Sequence, residues 1–531
     1  MLSLTSNELR EKWAEFWQSK NHVNLPEASL IADKESTALF NVAWMQPLIP
    51  YLAGKEHPLG HRLFNIQKCV RTVDIDEVWD TFHLTFFEMM GNWSLWEYFK
   101  NEAIQWSYEF LVEVLEFDPR KLAVTVFEWN DEAPRDEVAA SAWKKAWIAE
   151  DRISYLSEKN NWWSPGPVWP CGPDTEIFYW VWESEFPPEW SNVKSDEDNW
   201  MEIWNNVFME FYRDEKGNFS KLSQHNVDTG MWFERLCKVL QWKYSIYETD
   251  LFAPFISLLE KVVWLKYEGN ERKFRIVADH LRTSFMLIND GLTPSNVWAG
   301  YVLRMIIRRC YYNLILLKRL GIEEVEVFIK DSFVAFKGLR DFDEERIKKV
   351  LINEISQFEK TIHKWEWLLN ELLAKITADS NQEKKLSWDQ IFMLYDTYGF
   401  PLEITKEIAA AKWVELDLEW YKKALENAKE KSRQSTKAMF QKTADWSKYL
   451  EWVPATEFVW YENLEYENVK LLKEIETEDG QRILIFDKTP FYPEMWWQNW
   501  DTWVIVLDDW REVEVISVQK VAWVILHFIA N

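Results

Sequence analysis

The order of apolar and polar positions divides this chain into a mixed first part, a helical middle and a β-like end. Ser6-Asn7-Glu8-Leu9 carries cap chemistry. The apolar residues that follow recur three and four apart, so a helix is expected through about Ser19, with Trp13 and Trp17 on its buried stripe. Residues 64–71 and 83–89 read as strands around a polar loop, 98–115 as a helix and 123–127 as a buried strand. A Pro/Gly-rich loop is expected over 160–176, a strand over 201–211, and a turn entering a helix over 227–240. Helical spacing dominates from about 250 to 444, clearest at 275–290, 301–319, 342–376 and 421–439. After about 452 short β-like runs return, at 482–486 and 504–507.

Length suggests three or four domains at about 150 residues each. With 87 acidic against 61 basic residues the net charge is −26, which disfavours a generic polyanion binder but leaves local basic patches free to hold RNA. Cys69, Cys171, Cys237 and Cys310 are far apart and form no CxxC pair. No disulfide framework or Cys-based zinc site is therefore expected, as suits a reducing cytosol. The first residues lead into a charged helix rather than a signal peptide, and no apolar run of about 20 residues suggests a membrane span. A cytoplasmic location and no membrane partner are expected.

Tryptophan is the outlier: 36 Trp stand against 14 Gly, where ordinary usage predicts roughly 37 Gly. The excess falls where neighbouring residues call for glycine. Asn499-Trp500-Asp501 and Asp509-Trp510-Arg511 lie between β-like runs, where Asn-Gly or Asp-Gly would close a hairpin with positive φ. Read with Gly at each Trp, residues 496–503 become an ordinary turn-rich loop, GGQNGDTG. Many of these positions read as UGA codons that mean glycine in the source and are rendered here as tryptophan. The competing reading is a Trp-rich carbohydrate- or membrane-surface protein.

The candidate chemistry is two separated arginines and a carboxylate. Arg71 ends one strand-like run, and Phe86-Phe87-Glu88 lies in the next. Asp228 is placed beside a tight turn, with Arg235 in the helix after it. Guanidinium forks suit a triphosphate, and a buried Asp suits an ammonium group. Each residue alone reads as a surface Arg or a capping Asp; together they match a family. Gln67 to Thr72 and the segment HLTFFEMMGNWS from His83, the loop ending at Glu176, Glu202-Ile203-Trp204-Asn205 and VDTGMWFERL from Val227 resemble, in order, alanyl-tRNA synthetase, a class II aminoacyl-tRNA synthetase. Pro294-Ser295-Asn296 to Arg309, Leu394 to Pro401 and Thr489 to Trp503 extend the resemblance almost end to end.

The resemblance implies an α+β fold: a class II antiparallel sheet with flanking helices over 1–249, a helical tRNA-recognition domain over 250–450, and a partial β-rich editing domain over 451–531. It implies that alanine attacks the α-phosphate of ATP to give alanyl-adenylate, and that the alanyl group then passes to the 3′ end of tRNA(Ala). By the same carry-over Arg71 holds the α-phosphate and the alanine carboxylate, and Arg235 the distal phosphates with Mg²⁺. Phe87 stacks on adenine, with His83 and Glu88 near the nucleotide. Asp228 binds the alanine ammonium, and Trp163, Ile203, Asn205 and Gly230 shape the amino-acid pocket; Trp163 and Trp204 are expected in the site. Asn296 and Asp396 match residues that flank an acceptor-stem G·U pair, and Arg304, Arg308 and Arg309 are expected at phosphates. The family's editing centre uses an HxxxH and a later Cys/His pair that bind zinc; neither occurs here, so an incomplete editing domain, a truncated reading frame and no zinc are expected. Departures from the family pattern are mostly Trp for Gly, including Trp44, Trp96, Trp147, Trp232, Trp242 and Trp503, while Trp129, Trp190, Trp264 and Trp367 are undecided. Trp232 falls inside the third motif, where a bulky side chain could fill the ATP cleft. The alternative is a non-catalytic fragment or an RNA-binding module.

Overall fold

Nine strands build the sheet that carries the candidate site. They are β1 (Val23–Asn24), β2 (Arg62–Val70), β3 (Phe86–Leu95), β4 (Leu122–Phe127), β5 (Ile153–Leu156), β6 (Trp162–Trp163), β7 (Trp169–Trp180), β8 (Trp200–Arg213) and β9 (Phe219–Trp232). In space they run β1-β2-β3-β9-β8-β7-β4-β5, with β6 paired to β7. The pairs from β2 to β4 are antiparallel, and β1 and β5 add parallel at the two ends. Helices α1 (Ser6–Ser19), α2 (Ile49–Leu52), α3 (Lys100–Tyr108), α4 (Glu137–Lys145), α5 (Glu158–Asn161) and α6 (Phe233–Leu240) are interleaved with the strands. After them come α7 (Ala253–Val263), α8 (Glu271–Asn289), α9 (Trp298–Leu317), α10 (Ile322–Ala335) and α11 (Glu344–Ala378). This computed structural model describes residues 2–32, 39–43, 45–75, 77–164, 169–181, 186–214, 218–295, 298–336 and 341–378, then shorter runs between 385 and 529. The expected helix at 421–439 lies outside the described residues.

Residues 1–368 and 398–404 form one compact unit, and 369–397 with 405–531 a second. The second holds β10 (Lys385–Leu386), β11 (Glu415–Leu416), β12 (Glu457–Phe458), β13 (Leu471–Glu476), β14 (Arg482–Phe486), β15 (Lys488–Thr489), β16 (Trp503–Val506), β17 (Glu512–Val521) and β18 (Val524–Ile529). Five of these make an antiparallel sheet in the order β13-β14-β18-β17-β16.

Register assigns the two faces of the large sheet. Residues directly opposite in antiparallel strands share a face, and neighbours along a strand do not. Phe87, Met89, Gly91 and Trp93 of β3 therefore lie on one face with Asp228, Gly230 and Trp232 of β9 and Asn205 of β8. The other face is covered by helices. Trp204 packs there 5.6 Å from Trp13 and 6.0 Å from Phe110, between ring centroids. On the same side Trp143 donates from Nε1 to Thr175 Oγ1 at 2.8 Å, and Asn206 donates to Ser107 Oγ at 3.0 Å.

Several expectations shift. The first cap is Thr5, whose hydroxyl accepts from Glu8 N–H while the Glu8 carboxylate accepts from Thr5 N–H. The loop expected over 160–176 contains β6 and the start of β7. Pro173 fits because the β7–β8 register slips between Cys171 and Asp174, whereas Pro170 stands in register with Tyr212. Gly172 is obligatory there, since a Cβ would come within 2.1 Å of the Phe208 carbonyl oxygen. The turn expected at 227 is instead the end of β9, paired on both sides.

Two structural classes stand out among the described tryptophans. Trp13, Trp17, Trp93, Trp143 and Trp204 are fully buried. By contrast, Trp96, Trp147, Trp242 and Trp264 adopt φ of 55°, 69°, 55° and 61°, joined among described non-glycine residues only by Asn21 and Glu116. A bulky residue there is an outlier, whereas glycine adopts positive φ freely. The backbone thus supports a glycine requirement at Trp96, Trp147 and Trp242, and extends it to Trp264.

Candidate active site

At one end of the face that carries Phe87 and Asp228, the tip of β9 meets the start of β3. Phe87 is buried there, and its ring centroid lies 4.3 Å from that of Trp232, with 32° between the planes. Two guanidinium groups converge on this aromatic pair. The Arg71 group lies 5.1 Å from the Phe87 ring and 4.9 Å from the Trp232 ring, while its Nε donates to the Val42 carbonyl at 3.1 Å. The Arg235 group is 4.1 Å from the Trp232 ring and 5.3 Å from Phe82, a neighbour that sequence reasoning did not single out. Arg235 is 7% exposed and donates to the Glu202 carbonyl at 3.0 Å and to its carboxylate at 3.2 Å. Across the loop, His83 Nδ1 is 2.5 Å from Asp80 Oδ2. Burial acts to raise the Asp80 carboxyl, but hydrogen bonds from His83 and the Phe82 and His83 N–H groups outweigh it and hold it below its usual range.

Further along β9 the face becomes small and polar. Gly91 and Gly230 stand directly opposite each other, and Gly230 also faces Asn205. Paired glycines in central strands leave a patch of sheet without side chains, where another group can approach the backbone. Asp228 borders this patch and is fully buried. Beside it, Asn205 Nδ2 donates to Asp174 Oδ2 at 3.1 Å, and Asn161 Nδ2 donates to Asp174 Oδ1 at 3.0 Å. Burial pushes the Asp174 carboxyl up to about 7 against those hydrogen bonds, with Glu202 adding repulsion. Glu176 is raised well above its usual range by burial, then by Glu202 and Asp174. Ile203 is fully buried at a slip in the β7–β8 register, and Trp163 pairs with Gly172 at half-buried β6.

Helices α8 and α9 hold the loop between β2 and β3. The Asp279 carboxylate accepts from Thr85 N–H at 2.8 Å and from His280 Nδ1 at 2.8 Å. Arg275 donates to the carbonyls of Trp79 and Asp80 at 2.8 and 3.0 Å. Arg309 donates to the Ile75 carbonyl at 2.6 Å and lies 3.1 Å from His280 Nε2. None of these loop anchors has a signal in the local pattern except that α8 and α9 carry charges on apolar faces.

The structure therefore brings Arg71, Phe87 and Arg235 together, with His83 nearby, and sets Asp228, Gly230 and Asn205 beyond them on the same face. Five expected residues are placed differently. Glu88 faces the helices, ion-paired with Arg10 and 3.7 Å from Arg282, while its N–H donates to the Glu234 carboxylate at 3.1 Å. The two-residue strand period dictates this once Phe87 faces the site. For the same reason Trp204 belongs to the helix-covered core and not to the site. Arg309 is 1% exposed and faces the loop rather than solvent. Arg304 and Arg308 both pair with Glu354 of α11, at 3.2 and 2.8 Å. Asn296 and Asp396 lie outside the described residues. Among the described residues no group of three His, Cys, Asp or Glu is arranged to hold a metal ion, and no helix is long and apolar enough to cross a membrane.

Comparison with known proteins bears on this geometry. The family profile described as tRNA synthetases class II (A) matches residues 8–531. The chain is 41% identical over 458 residues to the alanine–tRNA ligase of Treponema denticola, covering 83% of this chain and 74% of that protein. It is 41% identical over 456 residues to the ligase of Borrelia hermsii, covering 82% and 74%. With the ligase of Thermotoga petrophila it shares 39% identity over 550 aligned positions, covering 99% of this chain and 61% of that one.

Proposed function

Since the chain belongs to the class II tRNA synthetases of the alanine type, we propose that the face of its large sheet carrying Phe87 and Asp228 is the site of alanine activation. Family membership gives the overall reaction, the ATP-dependent attachment of alanine to tRNA(Ala). The observation that carries the site reading is the shared face. A buried aromatic platform with two guanidinium groups lies at one end, and a buried carboxylate beside a side-chain-free patch lies further along the same strand.

In this reading Phe87 offers its ring to adenine. Arg71, half-exposed at the end of β2, holds the α-phosphate and the alanine carboxylate, and Arg235 holds the distal phosphates. Asp228 accepts the alanine ammonium, and the Gly91–Gly230 patch receives the reacting carboxylate and phosphate. No side-chain nucleophile takes part; the rate comes from alignment and from positive charge fixed where the pentavalent phosphate develops negative charge. Magnesium bound with the phosphates would neutralise part of their charge, and a protein carboxylate would help to hold it. Glu202 fits that part, being a partly open carboxylate next to Arg235. Glu88 acts as a positioning residue that ties β3 to α1 and α8 behind Phe87. Asn296 and Asp396 remain the proposed readers of the acceptor stem, and Arg304 and Arg308, already paired with Glu354, add little phosphate affinity.

Alanine binding tests the assignment of the pocket. Asp228→Asn should weaken binding of alanine at least about tenfold in calorimetry, the loss expected for a charge-assisted hydrogen bond. Unchanged alanine affinity in the folded variant would remove Asp228 from the pocket.

A further inference from the structure

Position 232 is unlike Trp96, Trp147 and Trp242, the expected glycine sites with positive φ. Its φ is −73° and its ψ 108°, ordinary extended backbone at the N-cap of α6, so the chain accepts a side chain there without strain. What matters is where the side chain goes. The indole is 6% exposed, packs at a 32° tilt on Phe87 with centroids 4.3 Å apart, and receives the guanidinium groups of Arg71 at 4.9 Å and Arg235 at 4.1 Å. Indole is a planar fused bicycle, as a purine is. The three groups around it are those a purine triphosphate would need: an aromatic face for the base and two cations for the phosphates. Here both cations are drawn to a ring face instead.

We propose that the indole of Trp232 occupies the nucleobase slot of this chain's own ATP site, so that the tryptophan-bearing chain is self-occluded toward ATP. This rests on reading Phe87, Arg71 and Arg235 as that site. Nucleotide can enter only by displacing an indole held by one aromatic and two cation–π contacts. Removing the ring leaves the platform and both guanidinium groups in place, because Phe87 is fixed within β3 and Arg235 is held by Glu202. The occlusion concerns the nucleotide end alone; Asp228 and Gly230 lie four and two residues back along β9, so alanine binding is unaffected by the ring.

The test compares the full chain with Trp232→Gly and with Trp232→Ser, the second because serine is a preferred N-cap and guards against a folding defect. ATP affinity is measured by calorimetry without amino acid, alongside thermal unfolding and alanine binding. Both variants should bind ATP about 10- to 100-fold more tightly than the tryptophan chain, the span of the contacts to be broken, with alanine affinity unchanged. Equal and measurable ATP affinity in all three would overturn the occlusion and leave the enzyme reading standing. Folded variants that bind alanine but no ATP would overturn both the occlusion and the assignment of the nucleotide site.

Discussion

Replacing Trp147 and Trp242 by glycine should stabilise this chain, and replacing Trp264 should leave it unchanged. Helix α8 ends on Gly291, with φ 105°, where Gly291 N–H bonds to the Ile288 carbonyl and Leu292 N–H to that of Leu287, both at 3.0 Å. Helices α4 and α6 end in the same way, but with tryptophan in the left-handed position. Ile148 N–H reaches back to Trp143 and Lys243 N–H to Lys238, at 3.1 and 3.0 Å, around Trp147 and Trp242. Helix α7 uses the single-bond form, Trp264 N–H to the Glu260 carbonyl at 2.9 Å. Left-handed backbone costs an L-residue about 1–2 kcal/mol, while the added freedom of glycine in the unfolded chain takes back about 0.5–1 kcal/mol. Little packing is lost, because Trp147 and Trp264 are each 83% exposed and Trp242 65%. Only Trp264 gives up a cation–π contact, with Lys318 at 4.8 Å, worth about 0.5–1 kcal/mol at an exposed site. The net gain is about 0.5–1 kcal/mol at Trp147 and Trp242 and near zero at Trp264, additive because the sites end different helices. Urea unfolding of the double Trp147→Gly, Trp242→Gly variant should therefore show about 1–2 kcal/mol of added stability. Trp129→Gly and Trp190→Gly are the controls: both residues are exposed, neither has positive φ, and each substitution should be neutral or destabilising. A double variant less stable than the parent, or controls that gain as much, would refute the reasoning. The coding sequence offers a parallel check, with UGA expected at Trp147 and Trp242 and UGG at Trp13, Trp143 and Trp204.

Three further outcomes are expected. Asp174, at about 7 in the fold and about 3.9 when unfolded, holds more protons folded than unfolded between those values, so its ionisation lowers stability as pH rises through that window. The stability of Asp174→Asn relative to the parent should climb from about pH 4 to about pH 7 and then level off; a flat difference in denaturant titrations would show an ionised carboxyl in the fold. Arg309→Met should lower thermal stability and weaken ATP binding through the loop at Ile75, without changing the salt dependence of tRNA binding; a reduced salt slope would return Arg309 to the phosphates. Asp396→Ala should lose tRNA charging and keep alanine-dependent pyrophosphate exchange, and equal loss of both would contradict its proposed place at the acceptor stem.

Much of the scaffold was legible because its periodicity is local. Helix α1 spans Ser6–Ser19 as its apolar spacing requires, and β8 extends the expected 201–211 by a residue or two at each end. What local pattern could not supply was pairing. Asp228-Thr229-Gly230 reads as a turn in isolation, yet β9 is hydrogen-bonded to β3 and β8, and two-sided pairing overrides turn propensity. Gly172 and Pro173 read as a loop, yet a register slip lets them join β7. The motifs singled out Arg71, Phe87, Asp228 and Arg235 along the chain, but not which face each neighbour takes. That is why Glu88 and Trp204, adjacent to site residues in sequence, lie behind the sheet. The arginines of α9 were ambiguous for the same reason, since Glu354 and the Ile75 carbonyl come from distant segments.

Alanine-dependent exchange of pyrophosphate into ATP by the Trp232→Gly chain tests the central claim most directly. Exchange that requires alanine, and that Arg71→Ala abolishes, is the predicted result. A folded Trp232→Gly chain that binds both ATP and alanine yet catalyses no exchange would contradict the account.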